Sequence, residues 1–280
     1  MIRESLRETV ARIGDTPVLW ATGLYLGALF ALDILLDASG NTVLGAHVGF
    51  LGLCGIPFFL GGSYGAIRAA GTGEPAGLGG FAAGGVKYFF RILLAGAVVV
   101  SAALLTAFLV MVPVSLIGGP AAATPLTLVW VGIPFAFFTF FLDTAAVFED
   151  RKVFDSIRRS VEFVTGRPGR AVLFYLANLA IGFLIFLVAA GTWSFAVADK
   201  LQPLADADPS LYLNMTPAQM VSLIGMNGIW AGVAIGFAAV VIGGTFLVAF
   251  KACFFRRAAA GTAAPVPQGE FDEKGRWYRY

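Results

Sequence analysis

The sequence predicts an all-α, polytopic membrane bundle of six transmembrane helices, with amphipathic interfacial helices on the cytoplasmic side. Three observations predict it. The 280 residues are 58% hydrophobic and 13% charged, against about 45–50% apolar and about 25% charged in soluble domains, and the mean hydropathy is +0.83. The apolar residues fall into runs at about 17–36, 43–67, 92–117, 126–148, 171–197 and 221–250. Each reaches the roughly 20 residues that cross a hydrocarbon core about 30 Å thick. Of the 19 Lys and Arg, all but Lys200 fall in segments that six spans sort to one side. Basic residues mark the cytoplasmic side, so the expected protein is multi-pass, in the plasma membrane, with both termini cytoplasmic.

Residues 2–13 place Ile2, Leu6, Val10 and Ile13 on one side of a helix and Arg3, Arg7, Glu8 and Arg12 elsewhere, the pattern of an interfacial helix. The first apolar run is longer than the about 7–15 residues of a secretory core and reads as a retained span. It carries Gly23 and Gly27. The second run is dense in glycine, which lets helix backbones approach closely, and Pro57 is expected to kink it. After the polar stretch 68–80, Phe81 to Arg91 reads as another interfacial segment. Spans three and four contain Pro113 and Pro134.

Residues 149–170 are the one long polar interruption. Phe154, Ile157, Val161 and Val164 recur at helical spacing, with Arg158, Arg159 and Glu162 opposite, and Asp155 with Arg159 and Arg158 with Glu162 stand one turn apart, as ion pairs require. This elbow also reads as an interfacial helix. Thr216 as cap, Pro217 at the first helical position and Gln219 three after the cap form a start signal for span six. Asn214-Met215-Thr216 also matches a glycosylation acceptor, and whether Asn214 is glycosylated stays open. Residues 1–257 form the membrane domain. The tail, 258–280, is rich in Ala, Gly and Pro at its start, a composition with little fixed structure.

Glu4-Ser5-Leu6-Arg7 aligns with Asp155-Ser156-Ile157-Arg158, and Val10 with Val161. Gly55-Ile56-Pro57-Phe58 recurs as Gly132-Ile133-Pro134-Phe135. These matches read as a threefold repeat of an interfacial helix followed by a two-span hairpin. The plainer reading is that membrane helices share a small alphabet.

The run Glu149-Asp150-Arg151-Lys152-Val153-Phe154-Asp155-Ser156-Ile157-Arg158-Arg159-Ser160, continuing to Gly166 and a span with Phe174-Tyr175, resembles the membrane domain of some glycerophosphoryl diester phosphodiesterases. It is also similar to related six-span archaeal membrane proteins of uncharacterised function, over residues 1–257. Catalysis in those phosphodiesterases belongs to a separate soluble barrel. The resemblance therefore implies architecture and carries over no catalytic residue.

No residue is singled out as catalytic, cofactor-binding or metal-binding. One His and two Cys cannot make a four-ligand zinc site, no nucleotide-binding loop, H-E-x-x-H or G-x-S-x-G occurs, and a net charge of +2 suggests no nucleic acid. Cys54 and Cys253 are expected as free thiols. The intramembrane polar candidates are Asp143, Asn178 and Asn227, and spans three, five and six read as free of ionisable residues. Asp143 stands about two turns from the cytoplasmic end of its span, within reach of interfacial water or as a buried functional group. Asp33 and His47 either pair or are solvated at the outer interface. Gly228, Gly232 and Gly236 form either a close helix crossing or the wall of a pore.

Arg151, Lys152, Arg158 and Arg159 are the candidates for contact with anionic lipid headgroups or a protein partner. The expected function is a non-enzymatic scaffold or envelope-associated module acting through this basic face. The alternative is a small-solute or lipid transporter, which kinked helices and repeated hairpins permit. A cavity reaching the midplane favours transport; a bundle filled by Phe, Leu and Val favours the scaffold.

Overall fold

Hydropathy of this kind leaves the backbone no partner but itself, so the spans must be helices. The computed structural model describes residues 1–74, 76–118, 120–205, 217–260, 269–271 and 277–279. Its helices are α1 (Ile2–Asp15), α2 (Trp20–Ala38, entered through the 3-10 turn Pro17–Leu19), α3 (Thr42–Gly71), α4 (Leu78–Gly118) and α5 (Pro120–Thr139). They continue as α6 (Leu142–Phe148), α7 (Val153–Gly166), α8 (Pro168–Ala196), α9 (Ala198–Ala205) and α10 (Pro217–Ala260). Among the described residues, six stretches are long and apolar enough to cross a membrane: Pro17–Ala38, Thr42–Gly71, Leu78–Leu116, Thr127–Phe148, Pro168–Ala196 and Val221–Ala259. This is the architecture of a multi-pass membrane protein. In the tail, Gly269–Phe271 pairs antiparallel with Trp277–Arg279. Asn214, Met215 and Thr216 lie outside the described residues.

Three expectations about the elements need correction. Phe81 to Arg91 is no separate interfacial helix but the first turns of α4, because α3 takes its apolar face: Phe81 and Tyr88 are buried there beside Tyr64 and Ile67. Span four is two helices, α5 and α6, broken at Phe140 and Phe141. Span six runs on past Phe250 as α10 to Ala260, since Ala252, Cys253, Phe254 and Phe255 are all buried. Pro57 and Pro113 lie inside α3 and α4, and α10 departs from helical geometry at Gly225, with φ of 70°.

The membrane helices neighbour one another in the order α5, α4, α3, α2, α10, α8. Glycine closes two of these joints. A Cβ built on Gly84 of α4 would lie 3.1 Å from the Gly61 carbonyl oxygen of α3, and one on Gly23 of α2 would collide with the Val241 carbonyl oxygen and Thr245 hydroxyl of α10. Thr22 Oγ1, donating to the Phe59 carbonyl at 3.0 Å, joins α2 to α3. Between α8 and α5 the link is the Tyr175 hydroxyl, which donates to the Phe137 carbonyl at 2.5 Å. Glycines of these two helices, Gly182 and Gly132, have nothing within 4 Å of a built Cβ. That joint is the loosest.

Among the described residues the buried core gathers at the end of the bundle that carries α1 and α7. One cluster joins Tyr64, Ile67, Tyr88, Val147 and Ala249. A second joins Phe141, Phe163, Phe174, Phe250, Phe254 and Phe255, with the Phe174 and Phe254 rings stacked at 4.2 Å. Ion pairs tie the same end together: Glu8 of α1 holds Arg256 and Arg257 of α10, and Glu149 holds Arg159 at 2.8 Å and Arg151 at 3.2 Å. Asp150, in the left-handed region with φ of 53°, turns the chain from α6 into α7 and pairs with Arg91 at 2.7 Å. Partial burial would raise its carboxyl, but Lys87 and Arg91 outweigh that and hold it below the ordinary carboxylate value.

α7 lays Ser156, Ser160, Phe163 and Val164 against the protein, while Phe154, 73% exposed, faces away. Ser160 mends the break between α5 and α6. Its hydroxyl donates to the Phe138 carbonyl at 2.8 Å and accepts from the Phe141 amide at 3.0 Å, two groups the broken helix leaves without helical partners. Ser160→Ala should therefore lower stability by about 1–3 kcal/mol, the cost of a buried unsatisfied group. Thermal unfolding in detergent checks this against Thr165→Ala, whose hydroxyl is exposed and returns to its own helix; that control should change stability by less than about 0.5 kcal/mol.

Candidate functional site

The break delivers a carboxylate into the bundle. Asp143 falls in the first turn of α6, where the unsatisfied amides and dipole of a helix start favour a negative charge, and the Thr144 amide donates to its Oδ1 at 2.7 Å. From α3 the Tyr64 hydroxyl donates to Oδ2 at 3.1 Å. From α10 Lys251 Nζ reaches Oδ1 at 2.7 Å and Oδ2 at 2.8 Å and lies 4.1 Å from the centre of the Phe140 ring. Asp143 is 6% exposed and Lys251 9%. An ion pair taken this far out of water persists only if its geometry is good and its remaining hydrogen bonds are satisfied. Tyr64, the Thr144 amide and the Phe140 ring supply those contacts.

Lys251 corrects the reading of span six as free of ionisable residues. Local composition assigns it to the tail, beside Arg256 and Arg257, but the helix continues and buries it. The legible signal was the apolar run after it, Ala252 to Phe255. Tyr64 carried no signal in an apolar glycine-rich helix.

Two cavities meet at Asp143. The larger, of about 590 Å³, lies among α3, α6, α8 and α10, with Tyr64, Asp143, Asn178 and Lys251 at one end and Phe183 and Phe186 toward the other. Leu179, Phe183 and Phe186 of its α8 wall are exposed, on the surface that faces hydrocarbon. The second, of about 430 Å³, lies between α3 and α4, with Ile92, Leu142 and Asp143 at one end and Leu53 and Val100 at the other. Leu60, Phe140 and Asp143 border both. Asp143 stands five residues, about 7 Å of rise, from the end of α6. From that level both cavities run toward the middle of the bundle.

Among the other candidates, Asn178 shares the larger cavity and donates to the Phe174 carbonyl of its own helix at 2.9 Å. Asn227 is exposed, about 36 Å along α10 from Lys251, and does not belong to the site. Gly228, Gly232 and Gly236 face side chains and not a neighbouring backbone: Trp193 of α8 donates to the Gly228 carbonyl at 3.1 Å and packs over Gly232, and Phe30 of α2 covers Gly236. Asp33 is exposed, and His47 bonds the Val43 carbonyl of its own turn.

In the elbow, Arg158 pairs with Glu162 at 2.8 Å, but Arg159 takes Glu149 in place of Asp155. The reason is that Glu149, next to the end of α6, lies over the α7 face that Arg159 presents. Arg151 shares Glu149, and Lys152 is exposed. Three of the four basic candidates thus bind the protein's own carboxylates. Among the described residues no group of His, Cys, Asp and Glu could hold a metal ion, and both cysteines are free thiols.

A family model described as a domain of unknown function, DUF7847, matches residues 1–258. The chain belongs to the DUF7847 family. No curated protein and no solved structure matches it. The match runs from α1 into the last turns of α10, so the DUF7847 domain includes the broken helix, the Asp143–Lys251 pair and both cavities.

Proposed function

We propose that this DUF7847 protein takes lipid-like amphipaths from the bilayer into the cavity beside Asp143 and Lys251, and works as a lipid transporter. The observation that carries this reading is the larger cavity itself: apolar along its length, bordered by α8 residues that are exposed toward hydrocarbon, and ending on a buried polar cluster. A lipid has that same distribution of polarity. Broken helices with non-helical backbone at membrane depth occur where they are buried in protein or border a cavity, and the Phe140–Phe141 break does both.

The scaffold reading loses support because three of its four basic residues pair with the protein's own carboxylates and because, among the described residues, the core gathers at the end that carries α1 and α7. The basic end is the cytoplasmic one in this proposal, so the site opens to the inner leaflet. A threefold repeat also gains support. The neighbour order alternates second and first helices of the hairpins α4–α5, α2–α3 and α8–α10, and the aligned pairs Ser5, Thr9 and Ser156, Ser160 are all fully buried. In that arrangement the α8–α5 joint is the third of three equivalent joints, left open where the other two are closed by glycine.

Native mass spectrometry of the protein extracted gently from its membrane tests the reading. Wild type should retain lipid, and Gly182→Trp, which fills the larger cavity from a position with free space, should lose it. Equal lipid occupancy in the two proteins would overturn the assignment.

A further inference from the structure

We infer that the bound molecule is a two-chain lipid that straddles the partition of Leu60 and Phe140, with its headgroup at Asp143 and Lys251 and one chain in each cavity. This rests on the lipid-binding reading and adds the class of ligand. The two cavities start at one level and run in the same direction. Tyr64 to Leu60 in α3 and Lys251 to Leu247 in α10 lead the larger one away from the charged pair, and Ile92 to Val100 in α4 leads the smaller one alongside it. Each falls within the about 300–1,000 Å³ of ordinary ligand cavities. Both have lipid-facing borders, at Leu179 and Phe183 for one and at Leu53 and Val100 for the other.

What distinguishes one two-chain molecule from two separate amphipaths is the polar end. Besides the shared carboxylate, the larger cavity offers Lys251, whose ammonium has a third proton beyond its two Asp143 contacts, and Asn178, whose carboxamide uses one N–H on the Phe174 carbonyl. The smaller offers Asp143 and Thr139 alone, and the Thr139 hydroxyl already donates to the Phe135 carbonyl at 2.6 Å. A second headgroup there would be buried without partners, which is costly. The smaller cavity fits a chain that brings no headgroup of its own.

The test measures binding of dioleoyl phosphatidylcholine and of its one-chain lyso derivative to delipidated protein in detergent, by native mass spectrometry. Gly96→Trp fills the smaller cavity and Gly182→Trp the larger; a Cβ at either position meets nothing within 4 Å. Wild type should prefer the two-chain lipid by at least about tenfold, since a second chain buries many methylenes. Gly96→Trp should remove that preference and leave lyso binding unchanged, and Gly182→Trp should abolish both. Leu at the same positions should give the same ordering with smaller changes, and replaces any Trp variant that does not fold. Undiminished two-chain binding in the Gly96 variant, or two lyso molecules held as tightly as one two-chain lipid, overturns the inference while lipid binding stands. If wild type binds neither probe, or the Gly182 variant binds both like wild type, the lipid-binding reading itself falls.

Discussion

Lys251→Met should destabilise the bundle by about 3–5 kcal/mol, because it leaves the Asp143 carboxylate buried without its cation. Tyr64 and the Thr144 amide would remain as its hydrogen-bond donors, and neither neutralises a charge. Asp143→Asn should be comparably harmful, because its amide oxygen can still accept from the Lys251 ammonium but brings no counter-charge. The combined Asp143→Leu and Lys251→Met variant should recover most of the loss, since replacing a whole buried pair with apolar groups of similar size is often neutral or stabilising. Unfolding in detergent, compared across the three variants and wild type, measures this. Single variants that unfold with wild type would mean that water reaches the pair. A double variant as unstable as the singles would mean that the hydrogen bonds around the pair, and not its charge balance, hold the break together. If the double variant is stable yet fails to retain lipid, the pair is kept for its ligand.

Gly23→Ala should cost about 1–3 kcal/mol, the range for an overpacked core. The methyl group would enter the space of the Val241 carbonyl oxygen and the Thr245 hydroxyl, and a carbonyl inside α10 cannot turn aside as a flexible side chain can. Gly132→Ala is the control. It meets nothing within 4 Å, and in a helix the loss of glycine's backbone freedom should leave it neutral or stabilise it by about 0.5–1 kcal/mol. Gly232→Ala should fall between the two, because its nearest neighbour, 3.0 Å away, is the Trp193 side chain. Melting of the Gly23 and Gly132 variants at the same temperature would show that α2 and α10 can separate freely. The series ranks joints by what lies opposite each glycine, which spacing in the sequence does not encode.

The number of spans, the gathering of basic residues at the helix ends and the helical elbow with its Arg158–Glu162 pair were legible in the residues alone. Each is a local property: hydropathy sums over neighbours in sequence, and residues four apart meet on any helix. Asp143 was legible as a polar group inside a span, but its partner was not. Lys251 lies 108 residues away, and beside Arg256 and Arg257 its surroundings in sequence look like the start of a polar tail. Its burial depends on α6 presenting a carboxylate, and Ser160, on a different helix, satisfies the backbone at the break where α6 begins. The glycine stripe of α10 and the first turns of α4 follow the same logic. Small residues and an amphipathic face state that something can approach closely, and only the assembled bundle decides that Trp193, Phe30 and α3 do so. Hydrophobic partition into a bilayer is decided segment by segment, so sequence determines it. Which helix meets which, and therefore which joint stays open to form a cavity, is decided by contacts between segments far apart in the chain.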